Sequence, residues 1–424
     1  MNSFANATLQ VIAAGAVSIA LMAGAQTPTP TPATDSSSPA AAAATPASQT
    51  PAPAAPADPA PAPLSTFVLS GPIAWLPPET FDAGPFGKLA VNGILTGYAQ
   101  GQNHPVPGDD TKQATLTNGF IFVQKADGKL QYFVQAGIYD FPTLGAPFAN
   151  AQNTKNLFGP VPVAYAKLAT GKTTTWEIGA LPTLMGAESA FTYQNMNISR
   201  GLLWFQENII NRGIQVNQTL GKYLTASFSW NDGYYSDRYN WLSGSLTFTK
   251  GAHTLVYAGM GNAGRTGYTT SATPLAQNNG YMHALIYTYS KGAWIATGTY
   301  QYGNVPTNPS IGIVKGASSN GFGVYLSRAF KSGFALPGRF EYIEQSGTVH
   351  GPDVDMLYGP GSSAISFTVT PTYQKGGFYF RSDLGVVNTN NSNGYAFGPT
   401  GTDASQFRAT VEFGFIFGKN SVEK

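Results

Sequence analysis

The sequence predicts an all-β fold: a transmembrane antiparallel β-barrel of about sixteen strands, with short periplasmic turns and long extracellular loops. Three observations predict it. A small Gly/Lys turn recurs along the chain, and runs rich in Thr, Val, Ile and aromatic residues flank each turn. Of the 424 residues, 42% are hydrophobic and only 10% charged. Soluble domains average about 25% charged residues, and a disordered chain would combine low hydrophobicity with high net charge. Neither description fits.

The turn appears as Lys125-Ala126-Asp127-Gly128-Lys129, Thr170-Gly171-Lys172, Gly221-Lys222, Lys250-Gly251, Lys291-Gly292, Lys331-Ser332-Gly333 and Lys375-Gly376. Gly supplies the positive φ of tight hairpin turns, and Lys keeps the tip in water. Between hairpins lie longer segments near 100–115, 140–158, 182–207, 232–239, 262–279, 303–319, 347–363 and 387–405. Seven short turns and eight long segments make fifteen connections, hence about sixteen strands of roughly ten residues. Their strict alternation puts both ends of the barrel on the short-turn side. A propeller blade also repeats every 40 to 45 residues or so, but it must hold four short strands. Each repeat here holds two long ones.

The facing pattern adds direction. In the last strand Phe407, Ala409, Val411, Phe413, Phe415 and Phe417 share one face, with Arg408, Thr410 and Glu412 on the other. In the preceding strand Phe378, Phe380, Leu384 and Val386 oppose Tyr379, Arg381 and Asp383; earlier, Trp176, Ile178 and Ala180 oppose Glu177. Period-two alternation does not say which face is outside. A signal-like N-terminus, strand length and aromatics at strand ends (Tyr281, Tyr289, Trp294, Tyr302, Trp241, Phe417) favour an apolar lipid face and a polar lumen.

Residues 11–25 form an apolar run ending in Ala23-Gly24-Ala25. It is short for a spanning helix and reads as a secretory signal peptide, although no Lys or Arg precedes it; a membrane-anchoring helix is the alternative. Residues 26–63 hold 11 prolines and only Asp35 and Asp58 as charges, the composition of an extended periplasmic tether or a plain linker. Residues 64–86 are an expected irregular lead-in, 87–417 the barrel and 418–424 a short tail.

Function classes narrow quickly. The formal charge of +2 gives no footprint for nucleic acid. Absent Cys removes disulfides and thiol chemistry. His253 and His283 read as structural residues of the short-turn rim. His104 with Asp109 and Asp110, and His350 with Asp353 and Asp355, are the only acid–His groupings, both in Gly/Pro-rich loops where solvated charge is the ordinary outcome. No Gly-x-Ser-x-Gly elbow or P-loop is present. No catalytic residue, metal site or cofactor is expected.

Two segments carry a resemblance. The run from Gln406 to Phe417 looks like the closing strand recognised by the outer-membrane barrel assembly machinery, here followed by seven further residues. The centre, Gly179-Ala180-Leu181-Pro182-Thr183-Leu184-Met185-Gly186-Ala187-Glu188, Asn197-Ile198-Ser199-Arg200, Asn211-Arg212-Gly213 and Phe228-Ser229-Trp230-Asn231-Asp232-Gly233, is similar to the OmpL-like β-barrel porins. The resemblance implies an outer-membrane pore surrounded by lipid and lipopolysaccharide, passing small hydrophilic solutes or ions, and, by porin analogy alone, a homotrimer. It brings no catalytic residues.

The third long loop, 182–208, is the longest and carries Glu188, Arg200 and Glu207 among Phe191, Tyr193, Trp204 and Phe205. By analogy with sixteen-stranded porins it is expected either to fold inward and narrow the pore, or to pack on itself as an outer cap. In the first case Glu188 and Arg200 would face a wall including Arg339, Glu341, Arg381, Asp383 and Arg408, with Glu177 and Glu412 also lining the pore; such opposed charges set ion selectivity. Residues beyond 63 carry 23 basic and 19 acidic side chains, suggesting at most a mild anion preference. A second reading, a sugar-binding or adhesive barrel, rests on Tyr234, Tyr235, Tyr239 and Trp241.

Overall fold

A computed structural model of the chain describes residues 71–267, 274–392 and 394–419, so the expected signal peptide and tether lie outside the described residues. Sixteen antiparallel strands form the wall: β1 Lys88–Gln102, β2 Lys112–Lys125, β3 Leu130–Tyr139, β4 Val163–Ala169, β5 Thr174–Pro182, β6 Ile210–Thr219, β7 Leu224–Asn231 and β8 Trp241–Lys250. Then come β9 His253–Asn262, β10 Tyr281–Lys291, β11 Trp294–Val305, β12 Ala317–Ala329, β13 Phe334–Gln345, β14 Ser363–Val369 continued as Thr372–Lys375, β15 Phe378–Asn390 and β16 Ser405–Phe417. Each strand pairs with its sequence neighbours, and β16 returns to β1, from Arg408 opposite Gln102 to Phe417 opposite Gly93. Closure leaves no unpaired edge, which a strand structure in lipid requires.

All seven Gly/Lys segments are tight turns on one rim, and all eight longer segments are loops on the other. We number these loops L1 to L8; L2 spans 140–162, L3 183–209, L4 232–240 and L7 346–362. Strand length ranges from 7 residues in β4 to 15 in β1, wider than the uniform ten expected. Pro371 interrupts β14 without changing its alternation, and Thr370 points into the barrel, where its hydroxyl donates to Asp383 at 2.6 Å.

The two faces of each strand settle which side meets lipid. Phe407 and Phe413 are 47% and 52% exposed, whereas the alternating Arg408 and Glu412 are 1% and 0%. Phe378, Phe380, Leu384, Trp176 and Ile178 are likewise exposed, and Glu177, Arg381 and Asp383 buried. This is the inverse of a soluble barrel. Of the expected girdle aromatics, Tyr281, Trp294 and Phe417 face outward; Trp241 does not. Its ring is buried inside, and its Nε1 donates to Asn278 Oδ1 at 3.0 Å.

The lumen is not uniformly polar. Phe120, Phe122, Phe133, Tyr139 and Tyr165 of β2–β4 point inward and form the main apolar core with Phe141 and Phe158 of L2 and Phe191 and Tyr193 of L3. Phe120 meets Phe191 edge-on at 4.8 Å. These aromatics face infolded chain rather than water.

The lead-in joins the same core. Glu79–Asp82, within the segment expected to be irregular, pairs with the start of β1. Ahead of it Ile73 is buried, and Trp75 lies edge-on to Phe122 at 5.3 Å. Ala74 exchanges two hydrogen bonds with the Gln374 amide, at 2.6 and 2.7 Å. A barrel oriented this way makes a direct statement about Val411, outward at the middle of β16: Val411→Arg is expected to destabilise the protein by about 2–4 kcal/mol. Urea unfolding in lipid vesicles measures it, and an unchanged midpoint would contradict the assigned lipid face.

Candidate functional site

L3 folds into the barrel; nearly every residue from Thr183 to Asn208 is buried. What draws it inward is a wall of charge on β13–β16. Inside a barrel Arg339, Glu341, Arg381, Asp383 and Glu412 would each carry a large desolvation cost unless paired, and L3 supplies the partners. Arg339 meets Glu188 at 2.6 Å and donates to the Ser199 carbonyl at 2.7 Å. Glu341 accepts from the Leu202 and Leu203 amides at 2.9 and 3.2 Å and stands 3.3 Å from Arg339. Asp383 accepts from the Ile198 and Ser199 amides at 3.1 and 2.7 Å. Arg381 chelates Glu412 and donates to the Asn195 and Thr192 carbonyls at 3.1 and 2.9 Å.

The local sequence explains why the loop can reach these groups. Gly186 takes φ +83°, and a β-carbon there would overlap the Glu207 carboxylate. Gly201 lies so close to Glu341 that any side chain would displace its carboxylate, and that closeness lets the next two amides bind it. Gly201 itself donates to Glu188 at 2.7 Å. Thr183 hydrogen-bonds Asn208, which in turn donates to the Gly233 carbonyl at 3.1 Å and ties the loop's ends to L4. The Gly-x-x-Pro-Thr-x-x-Gly-x-Glu and Asn-Ile-Ser-Arg elements are thus the pieces that aim and anchor L3.

Four of the expected residues behave differently from a row of free pore charges. Glu188 faces Arg339 as expected, but both are buried and spent on each other. Arg200 does not face the charged wall. Its guanidinium turns to L2, donating to the Pro142 carbonyl at 3.2 Å and to Ala190, between Phe141 and Trp204 at 5.1 and 5.0 Å. A loop carbonyl cluster and two ring faces offered better compensation than a wall already paired. Arg408 is spent similarly, on the Thr143 carbonyl at 2.7 Å and Gln102 at 2.9 Å. Glu177 stands apart, on β5, 3.3 Å from Lys167 of β4.

Sequence reading missed the parts played by L2 and the lead-in. Phe141, Phe148, Leu157 and Phe158 within L2, and Ile73-Ala74-Trp75-Leu76 before the barrel, were the available signals, since solvated loops have no use for such clusters.

The remaining candidates resolve into structural roles. His253 and His283 both point outward and bond tyrosine hydroxyls, Tyr287 at 2.7 Å and Tyr257 at 2.9 Å. His283 begins β10 beside L5, at the long-loop end and not on the short-turn rim as expected. Asp109 accepts from Gln102 and Gln113, and His104 bonds the Ser405 carbonyl. Asp353 pairs with Lys315 at 3.0 Å, whereas burial pushes the Asp355 carboxyl up while it accepts the Leu357 and Gly359 amides. Tyr234 and Trp241 of the aromatic cluster are buried and hydrogen-bonded, which removes two stacking surfaces from the sugar-binding alternative.

Removing one partner of a buried ion pair leaves the other charge uncompensated. Arg339→Ala is therefore expected to cost about 3–5 kcal/mol and to loosen L3. Chymotrypsin cleavage within 183–209 of the folded barrel reads the second effect, and full protection would contradict the pinning role.

Solved barrels share this architecture. The outer membrane channel DcaP of Acinetobacter baumannii superposes with a TM-score of 0.52 at 8% identity, over 78% of this chain and 97% of that one. The anion-selective porin from Comamonas acidovorans gives 0.51 at 13% identity, over 78% and 99%. OmpT of Vibrio cholerae, an outer-membrane expressed protein, gives 0.51 at 11%, over 80% and 100%. At such identities the likeness is one of fold. No curated protein sequence matches the chain. The family model "Putative beta-barrel porin-2, OmpL-like" matches residues 88–417, from the first residue of β1 to the last of β16, and the chain belongs to that family.

Proposed function

We propose that this outer-membrane barrel is a porin through which small hydrophilic solutes or ions diffuse passively. The observation that carries the reading is a loop laid across the interior of an inverted barrel and held there by wall charges. An infolded loop narrows the passage without closing chemistry around a substrate, and the acid groups near His104 and His350 are engaged in loop structure. The short-turn rim, with the lead-in and the C-terminal tail, faces the periplasm in this reading, and L1 to L8 face outward. Lipid and lipopolysaccharide surround the apolar band, and β16 is the strand presented to the assembly machinery.

Reconstitution of the full chain into planar bilayers tests the proposal. Stepwise, ohmic single-channel currents are expected, and complete absence of conductance would overturn it. Deleting 187–206 is expected to raise the unit conductance; an unchanged value would remove L3 from the constriction.

A further inference from the structure

The inward charges Arg339, Glu341, Arg381, Asp383, Arg408 and Glu412 of β13–β16, with Glu188 and Arg200 of L3, are buried against one another or against backbone, so they present almost nothing to a passing solute. The question is what the rest of the interior offers. On β4–β11 the inward residues Val256, Ala258, Ala284 and Ile286 of β9 and β10 are apolar and buried in one cluster with Met185 of L3. That leaves Thr175, Asn217, Thr225, Ser227, Ser245, Thr249 and Thr297 as half-buried polar positions facing inward and reached by water. They are hydroxyls and one amide. Lys167 and Glu177 are the only ionisable side chains on this arc among the described residues, 3.3 Å apart, with side-chain exposures of 18% and 8%.

Three groups of hydrogen bonds order this arc. Gln215 Nε2 donates to Glu177 at 3.3 Å and to Asn217 Oδ1 at 2.8 Å; Ser227 Oγ donates to the same Asn217 oxygen at 2.7 Å. On the far side Thr249 bonds Thr254 at 3.2 Å, and Thr288 bonds Thr297 at 3.0 Å. Each hydroxyl keeps spare donor or acceptor capacity for a ligand. The arc is therefore a neutral hydrogen-bonding surface containing a single, mutually cancelling ion pair.

We infer that the pore's accepted solutes are neutral polyhydroxylated molecules, and that Lys167 and Glu177 alone set its residual ion preference. The inference rests on the diffusion-channel reading and deepens it. A sugar or polyol exchanges its water hydrogen bonds for those of the arc at little net cost. An ion finds no ring of like charge to replace its hydration, which charge-selective pores provide. The Lys167–Glu177 pair contributes no net field while intact. Removing either partner leaves the other as an unpaired charge on an arc with no further charge among the described residues.

The full-length protein in planar bilayers, under a tenfold KCl gradient, gives a near-zero reversal potential if the inference holds. Glu177→Gln keeps the shape and the Gln215 contact and is expected to shift permeability several-fold toward chloride. Lys167→Met is expected to shift it several-fold toward potassium, so the two variants move in opposite directions from one baseline. In liposome swelling, a neutral polyol should enter several-fold faster than a carboxylate of similar size. A conducting wild type with strong ion selectivity, or variants that leave the reversal potential in place, would overturn this inference while leaving the porin reading intact. A wild type that conducts nothing overturns the porin reading itself.

Discussion

Arg339, Glu341, Arg381, Asp383, Arg408 and Glu412 line one side of the barrel interior with almost no water around them. Charges so placed must be compensated within a few ångströms, because their lost hydration costs several kcal/mol each. The wall itself provides part of the compensation, through the Arg381–Glu412 and Arg339–Glu341 pairs. The remainder comes from the backbone amides and carbonyls of L3 and L2 and from Glu188. The position of L3 across the lumen follows from this requirement. So does the character of the opposite arc, since most of the interior charges are already committed to holding the loop.

The aromatic side of the interior obeys a different rule with the same outcome. Phe120, Phe122, Phe133 and Tyr165 would be poor neighbours for water in an open lumen, but Phe141, Phe191, Tyr193 and the lead-in cover them. The barrel thus has its apolar band outside and a second, smaller apolar core inside. Loop and wall meet through charge on one side and through rings on the other, and L3 bridges the two. Trp75 brings the N-terminal lead-in to the same junction, in contact with Phe122 and Tyr193 at once.

Architecture was legible in the amino-acid sequence because barrel physics writes itself locally. A tight turn needs glycine at a left-handed position, as at Gly251, Gly292 and Gly376, where φ is +61°, +59° and +57°. A strand between lipid and lumen needs period-two alternation, as in Phe407 to Phe417. Both are short-range demands, so turn positions, strand count and the alternation of outward and inward residues all followed from neighbouring residues. The motif around Gly179–Glu188 marked the loop that matters for the same reason: Gly186 and Gly201 are requirements of backbone closeness written at single positions.

Partnership is where sequence stopped and tertiary structure decided. That Glu188 meets Arg339, 151 residues away, while Arg200 turns from the charged wall to the carbonyls of L2, depends on which groups the closed barrel brings within reach. The inward turn of Trp241 was likewise hidden, because alternation along β8 gives two faces and only the neighbouring Asn278 and L4 select one for that ring. Sequence by itself determined an inverted sixteen-stranded barrel with an unusual third loop. Only the fold decided that the conspicuous wall charges are committed to the third loop, and that the opposite arc holds a single ion pair, since desolvation is compensated through space rather than along the chain.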